Sequence, residues 1–363
     1  MNREIQLIIR KAKKTQQLSK EELVSILACE SSRASALFAA ADQVRQQYVG
    51  DEVHLRGIIE FSNCCQRNCR YCGLRRGNPT LKRYRMSADE IYEAALAACR
   101  LGYRTVVLQS GEDSLYDADM IAAIVKRLKK LDLAVTLSCG ERPYEEYLYW
   151  RRAGADRYLL KHETASTLLY SKLHPDMSFA ERRRCLADLR QTGYQVGSGC
   201  MVGLPGQTPE ILAEDLLYLK ELDVEMAGIG PFIPNPHTPL AGAAPGTVEM
   251  TLKMIALTRL LLPQAHLPVT TALSTIDAQG RQKALWSGAN VIMPNVTPKR
   301  FRSLYAIYPN KDLPDANQSD CRQCVCDMIN SLGRTVAQGQ GHSPKPEFSR
   351  DFKKRGEADE QYS

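Results

Sequence analysis

Three closely spaced cysteines constrain this chain more than any other feature. Cys65, Cys69 and Cys72 follow the first strongly apolar strand pattern with the spacing C-x3-C-x2-C, so one short loop carries three thiolates. Three cysteine ligands leave one of the four irons of a cubane cluster open to a small molecule, whereas electron-transfer clusters usually have cysteine on every iron. A zinc knuckle is the alternative, but zinc sites usually take four ligands and no further His or Cys follows nearby. The spacing therefore favours a [4Fe-4S] cluster with an open coordination site.

Composition argues against a nucleic-acid partner. Of 363 residues, 48 are Lys or Arg and 41 are Asp or Glu, so the formal net charge is a modest +7. The densest basic run, Arg182-Arg183-Arg184, fits a solvated helix face. The interleaving of aromatic and basic residues that is typical of single-strand binders is absent.

Neither a membrane span nor export is expected. No apolar run reaches the roughly 18 residues that a transmembrane helix needs. The start, Met-Asn-Arg-Glu-Ile-Gln, lacks the apolar core of a signal peptide. The 12 cysteines are scattered singly outside two clusters. These features predict a cytoplasmic protein whose thiols stay reduced and free to bind iron.

Strand and helix patterns alternate after a helical start in which Ser19 and Glu22 form a capping box. This order indicates an α/β fold of the TIM-type (β/α)8 barrel class, rather than an open doubly wound sheet with its early G-x-G-x-x-G motif. The predicted strands are Val53–Ser62, Thr105–Ser110, Ala134–Cys139, Asp156–His162, Gln195–Val202, Glu225–Phe232, Val269–Ser274 and Asn290–Pro294. We expect a helical extension over 1–50, the barrel over 51–308, a cysteine-containing segment over 309–340 and a loosely ordered tail over 341–363.

Polar or glycine-rich segments end several of these strands. They are Gln109–Glu112, Cys139–Glu141, Lys161–Thr164 and Gly203–Gly206. Because the carboxyl ends of barrel strands share one face, these segments and the cysteine loop are expected to form one site.

The cysteine spacing, with an aromatic Tyr71 before the last cysteine, resembles that of radical S-adenosylmethionine (SAM) enzymes. Gln109–Glu112 resembles the Gly-Gly-Glu segment that contacts the SAM amino group in that superfamily. Over roughly residues 50 to 330 the chain closely resembles the HydE family, the radical SAM maturases of [FeFe]-hydrogenase. The matching segments are Ile59–Asn63, Cys72–Arg76, Gln109–Asp113, Gly154–Leu160, His162–Thr164, Met201–Thr208, Gly228–Pro234 and Val291–Asn295.

This resemblance implies a [4Fe-4S] cluster on the three cysteines, SAM on its open iron, and two sets of contact residues. SAM contacts are expected from Tyr71, Ser110, Gly111, Glu112, Lys161, Glu163, Arg182, Ser198, Gly199 and Met293. Substrate contacts are expected from Gln109, Thr136, Thr270, Thr271 and Tyr305. Without the resemblance, each residue also has an ordinary structural explanation, such as a surface ion pair or strand packing.

The resemblance also implies a substrate and partners. The substrate is expected to be a cysteine-bound iron carbonyl cyanide complex made by another maturase, and the product to lead toward the diiron active-site precursor of the hydrogenase. A reductant such as ferredoxin or flavodoxin and the other hydrogenase maturases are the expected protein partners.

One region departs from the family pattern. Some members hold an accessory cluster with three C-terminal cysteines, and Cys321 and Cys324 match the last two of them. Asp312-Leu313 stands where the first cysteine is expected, and Cys326 is an extra thiol. Two interpretations therefore stay open: an accessory cluster on Cys321, Cys324 and Cys326, or free thiols. Cys64 breaks the motif spacing and is expected to be a bystander.

Two other functions remain as alternatives. The first is a related radical SAM mutase or sulfur-insertion enzyme, similar to methylornithine synthase or biotin synthase, which would need fixed partners for an amino acid deep in the barrel. The second is an iron–sulfur carrier or scaffold protein, which would need no SAM pocket. The set of Gly111, Glu112, Glu163 and Arg182 argues against a carrier.

Overall fold

The computed structural model describes residues 3–30, 34–311 and 322–348. None of the described helices has the length and hydrophobicity needed to cross a lipid bilayer. The helices are α1 (Arg3–Thr15), α2 (Lys20–Leu27), α3 (Ser35–Val49), α4 (Ala88–Arg100), α5 (Ala118–Lys129), α6 (Tyr144–Arg152), α7 (Thr167–Leu173), α8 (Phe179–Gln191), α9 (Pro209–Leu222), α10 (Val248–Leu261), α11 (Thr271–Ile276), α12 (Gly280–Trp286), α13 (Lys299–Arg302) and α14 (Arg322–Ser331).

The strands are short and pair in parallel. They are β1 (Glu52–Leu55), β2 (Gly57–Ser62), β3 (Thr105–Ser110), β4 (Ala134–Ser138), β5 (Arg157–Leu159), β6 (Gln195–Ser198), β7 (Met201–Val202), β8 (Met226–Ala227), β9 (Gly230–Pro231), β10 (Pro268–Val269), β11 (Val291–Ile292) and β12 (Thr335–Val336).

These strands close into a ring. One sheet has the order β2-β3-β4-β5-β6-β8 and another the order β10-β11-β1-β12. Single parallel bridges join the two sheets, between Met226 and His266 on one side and between Ile58 and Asn295 on the other. Because β1 leads directly into β2, the ring positions are β1/β2, β3, β4, β5, β6, β8, β10 and β11. The predicted eight-stranded parallel barrel is confirmed.

The three N-terminal helices pack outside the barrel, with α3 against α10 and α2 against α9. The predicted capping box starts α2, because the Ser19 side chain accepts a hydrogen bond from the Glu22 backbone and the Glu22 side chain accepts one from the Ser19 backbone. Apolar residues of α1 and α2, including Ile5 and Leu23, are buried in the main core. The extension is therefore part of the packed structure.

Four predicted strands differ from the observed ones. The fifth and sixth, Gln195–Val202 and Glu225–Phe232, each divide into two short strands, β6 with β7 and β8 with β9. The first, Val53–Ser62, divides at Arg56 into β1 and β2, which belong to different sheets. The seventh, Val269–Ser274, ends at Val269, and α11 begins at Thr271. The β-branched run favours a strand by propensity, but tertiary packing overrides it because Ala272 and Leu273 are buried in helical conformation.

The C-terminal segment closes the amino-terminal end of the barrel. Strand β12 pairs with β1, and the carbonyl oxygens of Gln340 and Gly341 then accept hydrogen bonds from Arg157 and Arg56. Ser343 and Lys345 are buried, at 3% and 6% exposed. The loosely ordered tail expected from residue 341 is therefore wrong for residues 341–348, because these residues supply acceptors to buried arginines. Residues 349–363 lie outside the described part of the chain.

The capping box at the start of α4 generates a stability prediction. Ser87 accepts a hydrogen bond from the Glu90 backbone, and its own backbone donates to the Glu90 carboxylate at 2.7 Å. Replacing Ser87 by Ala should lower the free energy of unfolding by about 1 kcal/mol, measured by urea denaturation. The control is Ser25→Ala, because the Ser25 hydroxyl bonds only within α2, to the Glu21 carbonyl, and its loss should change stability little. Equal effects of both variants would contradict the capping role.

Candidate active site

One cavity of about 360 Å³ opens among the carboxyl ends of the barrel strands. Its wall contains most of the residues that the sequence indicated as cluster, SAM and substrate contacts, because parallel strands bring their following loops to one face. These are Cys65, Cys69, Tyr71, Cys72, Gln109, Ser110, Gly111, Glu112, Lys161, Glu163, Arg182, Thr270, Thr271, Met293 and Tyr305.

Three other expected contacts lie behind the cavity wall. Thr136 is buried in β4, and its hydroxyl has no hydrogen-bond partner. The Ser198 hydroxyl is 3.1 Å from both the backbone nitrogen and Nδ1 of His162. A Cβ at Gly199 would lie 2.0 Å from the Gly228 carbonyl oxygen, so its backbone packs against the next strand. These positions support the wall but do not form it.

The structure does not bring Cys324 and Cys326, the two described cysteines of the C-terminal segment, together. Cys324 is exposed and Cys326 is buried, at 9% exposed, on α14. Residues two positions apart on a helix face different directions, so these two thiols do not converge. Cys321 lies outside the described residues.

Hydrogen bonds hold the cysteine loop on both sides. The Gln66 backbone donates to the Glu112 carbonyl at 2.9 Å, which joins the loop to the end of β3. The Arg83 guanidinium donates to the carbonyls of Asn63 and Leu74 at 2.7 Å each, one before and one after the three cysteines. The loop is therefore ordered by contacts that do not involve the thiols.

The three motif thiols reach the cavity, whereas Cys64 does not. Burial raises the pKa of Cys65 and of Cys69, and it raises the pKa of Cys72 to about 12. Thiols of this kind lose their protons when a metal binds, so cluster assembly here would release protons. The Cys64 thiol instead lies 3.8 Å from the Tyr84 carbonyl oxygen.

The thiols also fit a cluster better than a single ion. In the described part of the chain, no group of three His, Cys, Asp or Glu side chains is placed around a single metal position. Cysteines that ligate different irons of a cubane do not need to converge on one point. The donor set of three thiols at a cavity wall thus fits a [4Fe-4S] cluster.

A chain of four charges connects the cysteine loop to the opposite wall. Arg67 forms ion pairs with Glu112 and, at 3.2 Å, with Glu141. Arg182 donates to Glu141 at 2.7 Å. Burial raises the pKa of Glu141, while Arg182 acts to lower it. The sequence analysis did not assign roles to Arg67 and Glu141. Arg67 lies inside the cysteine motif, and Glu141 is the last residue of the polar segment Cys139–Glu141.

Glu163 has an unusual backbone and a carboxylate oxygen that forms an ion pair but no hydrogen bond. Its φ is 66°, in the left-handed region that residues with a side chain rarely adopt. Its Oε2 lies 3.2 Å from Lys161 Nζ but forms no hydrogen bond. A buried acceptor without a hydrogen bond at the cavity wall fits a ligand that carries hydroxyl or ammonium groups, as SAM does.

Two glycines allow the strand ends to approach each other. A Cβ at Gly111 would lie 2.3 Å from the Cys64 carbonyl oxygen. Gly140 has a φ of 81°, and a Cβ there would lie 1.8 Å from Glu112 Cγ. Neither position can hold a larger residue without movement of the cysteine loop or Glu112.

A second charged pair lies in another part of the cavity wall. Lys311 forms an ion pair with Glu60, and Asn295 donates to the other Glu60 oxygen at 3.1 Å. The Lys311 ammonium also lies 4.6 Å from the centre of the Tyr305 ring. Burial and the nearby Glu60 raise the pKa of Tyr305. Sequence reasoning missed this pair because 251 positions separate its members.

The orientation of the thiols predicts which cysteines hold iron. Cys65→Ala, Cys69→Ala and Cys72→Ala should each lose the cluster after anaerobic reconstitution, because two thiolates cannot replace three. Iron and sulfide analysis and the visible spectrum measure this loss. Cys64→Ala is the matched control and should keep wild-type iron. A Cys64 variant without iron would overturn the assignment.

The chain matches known proteins in both sequence and structure. The family model of the Radical SAM superfamily matches residues 59–219. The [FeFe] hydrogenase maturase subunit HydE of Thermotoga maritima is 56% identical over 306 residues, which cover 84% of this chain and 88% of that protein. A 3-methylornithine synthase of Methanosarcina acetivorans is 29% identical, with 92% of both chains covered. The crystal structure of methylornithine synthase (PylB) superposes with a TM-score of 0.80 at 28% identity, over 91% of this chain and 97% of that one. The chain belongs to the radical SAM superfamily and, within it, to the HydE family.

Proposed function

We propose that this chain is a radical SAM enzyme that acts in assembly of the diiron active-site precursor of [FeFe]-hydrogenase. A [4Fe-4S] cluster on Cys65, Cys69 and Cys72, with SAM bound to it, supplies a 5′-deoxyadenosyl radical on reduction. The observation that carries the proposal is one cavity wall that contains the three thiols, Glu163 and Arg182. The 56% identity to a HydE maturase supports the assembly role.

The residues on the cluster side of the cavity would bind and orient SAM. Arg182 uses Nε for Glu141 and Nη1 for the Lys161 carbonyl. A guanidinium has five N–H groups, so Arg182 keeps donors for the SAM carboxylate. The Glu163 carboxylate would accept from SAM hydroxyl or ammonium groups. Glu112 already accepts from Arg67 and from the Glu141 backbone, so its role would be to orient these neighbours.

The other part of the cavity would hold a cysteine-bound iron carbonyl cyanide substrate. Its wall includes Gln109, Thr270, Thr271, Tyr305 and Lys311. Arg56 and Arg157 are buried below this wall. Each lies two residues before a wall residue, Ile58 or Leu159, so its side chain points to the same face of the sheet. Neither arginine forms an ion pair with a described acidic residue. Their charge supports binding of an anionic complex.

Partners and compartment follow from this chemistry. An acidic one-electron donor such as ferredoxin or flavodoxin would approach the outer side of the cysteine loop, where Arg70, Arg76 and Lys172 are exposed. Another maturase would supply the iron complex. The described cysteines are all free thiols, which supports a reducing cytoplasm.

A related mutase is the second candidate function. An amino-acid substrate needs fixed partners for its carboxylate and ammonium groups, and Lys311 and Glu60 carry the matching charges inside the cavity. This pair supplies the fixed partners that a mutase like the methylornithine synthase relative would need. The higher sequence identity to the HydE relative, 56% against 29% for the methylornithine synthase, favours the maturase.

The test uses purified, anaerobically reconstituted protein reduced with dithionite in the presence of SAM. We expect release of 5′-deoxyadenosine and methionine, and faster release when the cysteine-bound iron dicarbonyl cyanide complex is added, with loss of its carbonyl infrared bands. Release stimulated by basic amino acids and not by the iron complex would favour the mutase. No 5′-deoxyadenosine under either condition would reject radical SAM chemistry and leave a carrier.

Arg182 provides a prediction about SAM affinity. Arg182→Lys should weaken SAM binding about tenfold, because Lys lacks the planar fork that pairs with a carboxylate. The matched control is Arg183→Lys, since Arg183 is the next residue on α8 but pairs with Glu221 at the surface. Titration of the cluster EPR signal with SAM measures affinity in both variants. Equal affinities for both variants would contradict a SAM contact by Arg182.

A further inference from the structure

Asp215 is a buried carboxylate that lies outside the cavity but between two loops of its wall. It belongs to α9, and its side chain is 0% exposed. A buried carboxylate is costly unless hydrogen bonds satisfy it. The partners of its carboxylate come from the segment after β5 and from the segment after β7. Among the described side-chain hydrogen bonds, none joins this carboxylate to another residue of α9.

The first set of contacts reaches the segment around Glu163. Asp215 Oδ1 accepts from the Ala165 backbone and lies 3.5 Å from His162 Nε2. The other ring nitrogen, Nδ1, is 3.1 Å from the Ser198 hydroxyl. A hydroxyl that donates to Nδ1 places the ring proton on Nε2, where it faces Asp215 at 3.5 Å, a distance too long for a hydrogen bond.

The second set of contacts reaches the segment after β7. Gln207 Nε2 donates to Asp215 Oδ2 at 3.3 Å and to the Met201 carbonyl at 2.9 Å. Gln207 Oε1 accepts from the Gly203 backbone at 2.7 Å. Met201 is part of the cavity wall. One carboxylate therefore connects both segments to the same helix.

Glu163 lies between these two sets of contacts. Its backbone nitrogen donates to the Gly199 carbonyl at 3.0 Å, and its carbonyl accepts from Met201 at 3.1 Å. Thr164 donates to the His162 carbonyl at 2.8 Å, two residues back. This bond around a φ of 66° is the rare and strained form of γ-turn. Strained backbone persists only where its surroundings hold it.

We propose that Asp215 is a positioning residue for SAM binding, and that it acts by holding Glu163 in this strained turn. The proposal rests on the proposed function, in which the Glu163 carboxylate contacts SAM. Asp215 is not part of the cavity wall, so it would contact neither SAM nor the cluster. Its effect passes through the Ala165 and His162 contacts on one side and through Gln207 on the other.

The test compares Asp215→Asn with Glu225→Gln. Glu225 is also 0% exposed, but it lies beside β8 at the opposite end of the barrel, where it pairs with Arg190 at 2.7 Å and Lys345 at 2.8 Å. Both variants remove one buried negative charge, so both should lose stability. Three quantities are measured: the dissociation constant of S-adenosylhomocysteine, which is not cleaved; KM and kcat for SAM cleavage; and amide hydrogen exchange.

For Asp215→Asn we expect about tenfold weaker S-adenosylhomocysteine binding, a similar rise in the KM for SAM with little change in kcat, and faster exchange of the amides of Thr164, Ala165 and Gly203. Glu225→Gln should leave all three quantities unchanged. In a Glu163→Gln background, Asp215→Asn should weaken binding little further, because both changes act on one contact. Additive effects, or unchanged affinity and exchange in Asp215→Asn, would overturn the proposal.

Two further results separate the possible failures. If Asp215→Asn does not fold, Gln207→Leu removes only the second set of contacts and should shift affinity and exchange in the same direction; unchanged values there would also reject the proposal. If wild-type protein makes no 5′-deoxyadenosine, the proposed function fails. Hydrogen exchange still decides whether Asp215 holds the turn, because it does not depend on cleavage.

Discussion

The buried ion-pair chain from Arg67 through Glu112 and Glu141 to Arg182 is the interaction on which the arrangement of the site depends. Buried charges are tolerated only when they are paired, and removal of one member leaves its partner uncompensated. The chain joins the cysteine loop to the ends of β3 and β4 and to α8. These ion pairs therefore hold the expected cluster ligands and SAM contacts in a fixed position relative to each other.

The buried arginines at the two ends of the barrel have different partners. At the carboxyl end, carboxylates and arginines pair around an open cavity, and strained backbone persists at Glu163. At the amino end, Arg56 and Arg157 instead donate to the backbone carbonyls of Gly341 and Gln340. A carbonyl oxygen accepts a hydrogen bond from a guanidinium group but does not neutralise its positive charge. These two guanidinium groups thus keep their positive charge below the cavity, where it would attract an anion.

Local patterns in the sequence were sufficient to predict the barrel, the place of the three motif cysteines in the cavity wall and most of the strand ends that line it. Each of these depends on short spacing or on the order of strands, which one sequence contains. The pairs Arg67–Glu141 and Glu60–Lys311 depend on which distant residues meet, and spacing along one chain does not contain that information. Thr270 and Thr271 show the same limit, since their strand propensity gives way to the start of α11.

The Glu60–Lys311 pair connects the two candidate functions. A free amino acid and a cysteine bound to iron both carry an ammonium and a carboxylate group on one carbon. Glu60 and Lys311 have the complementary charges, so either ligand would replace one buried ion pair by two. In either candidate function the pair would bind the part that both ligands share, and it would not discriminate between them. Discrimination would come from the rest of a cavity of about 360 Å³, whose wall also contains Tyr305 and Met293.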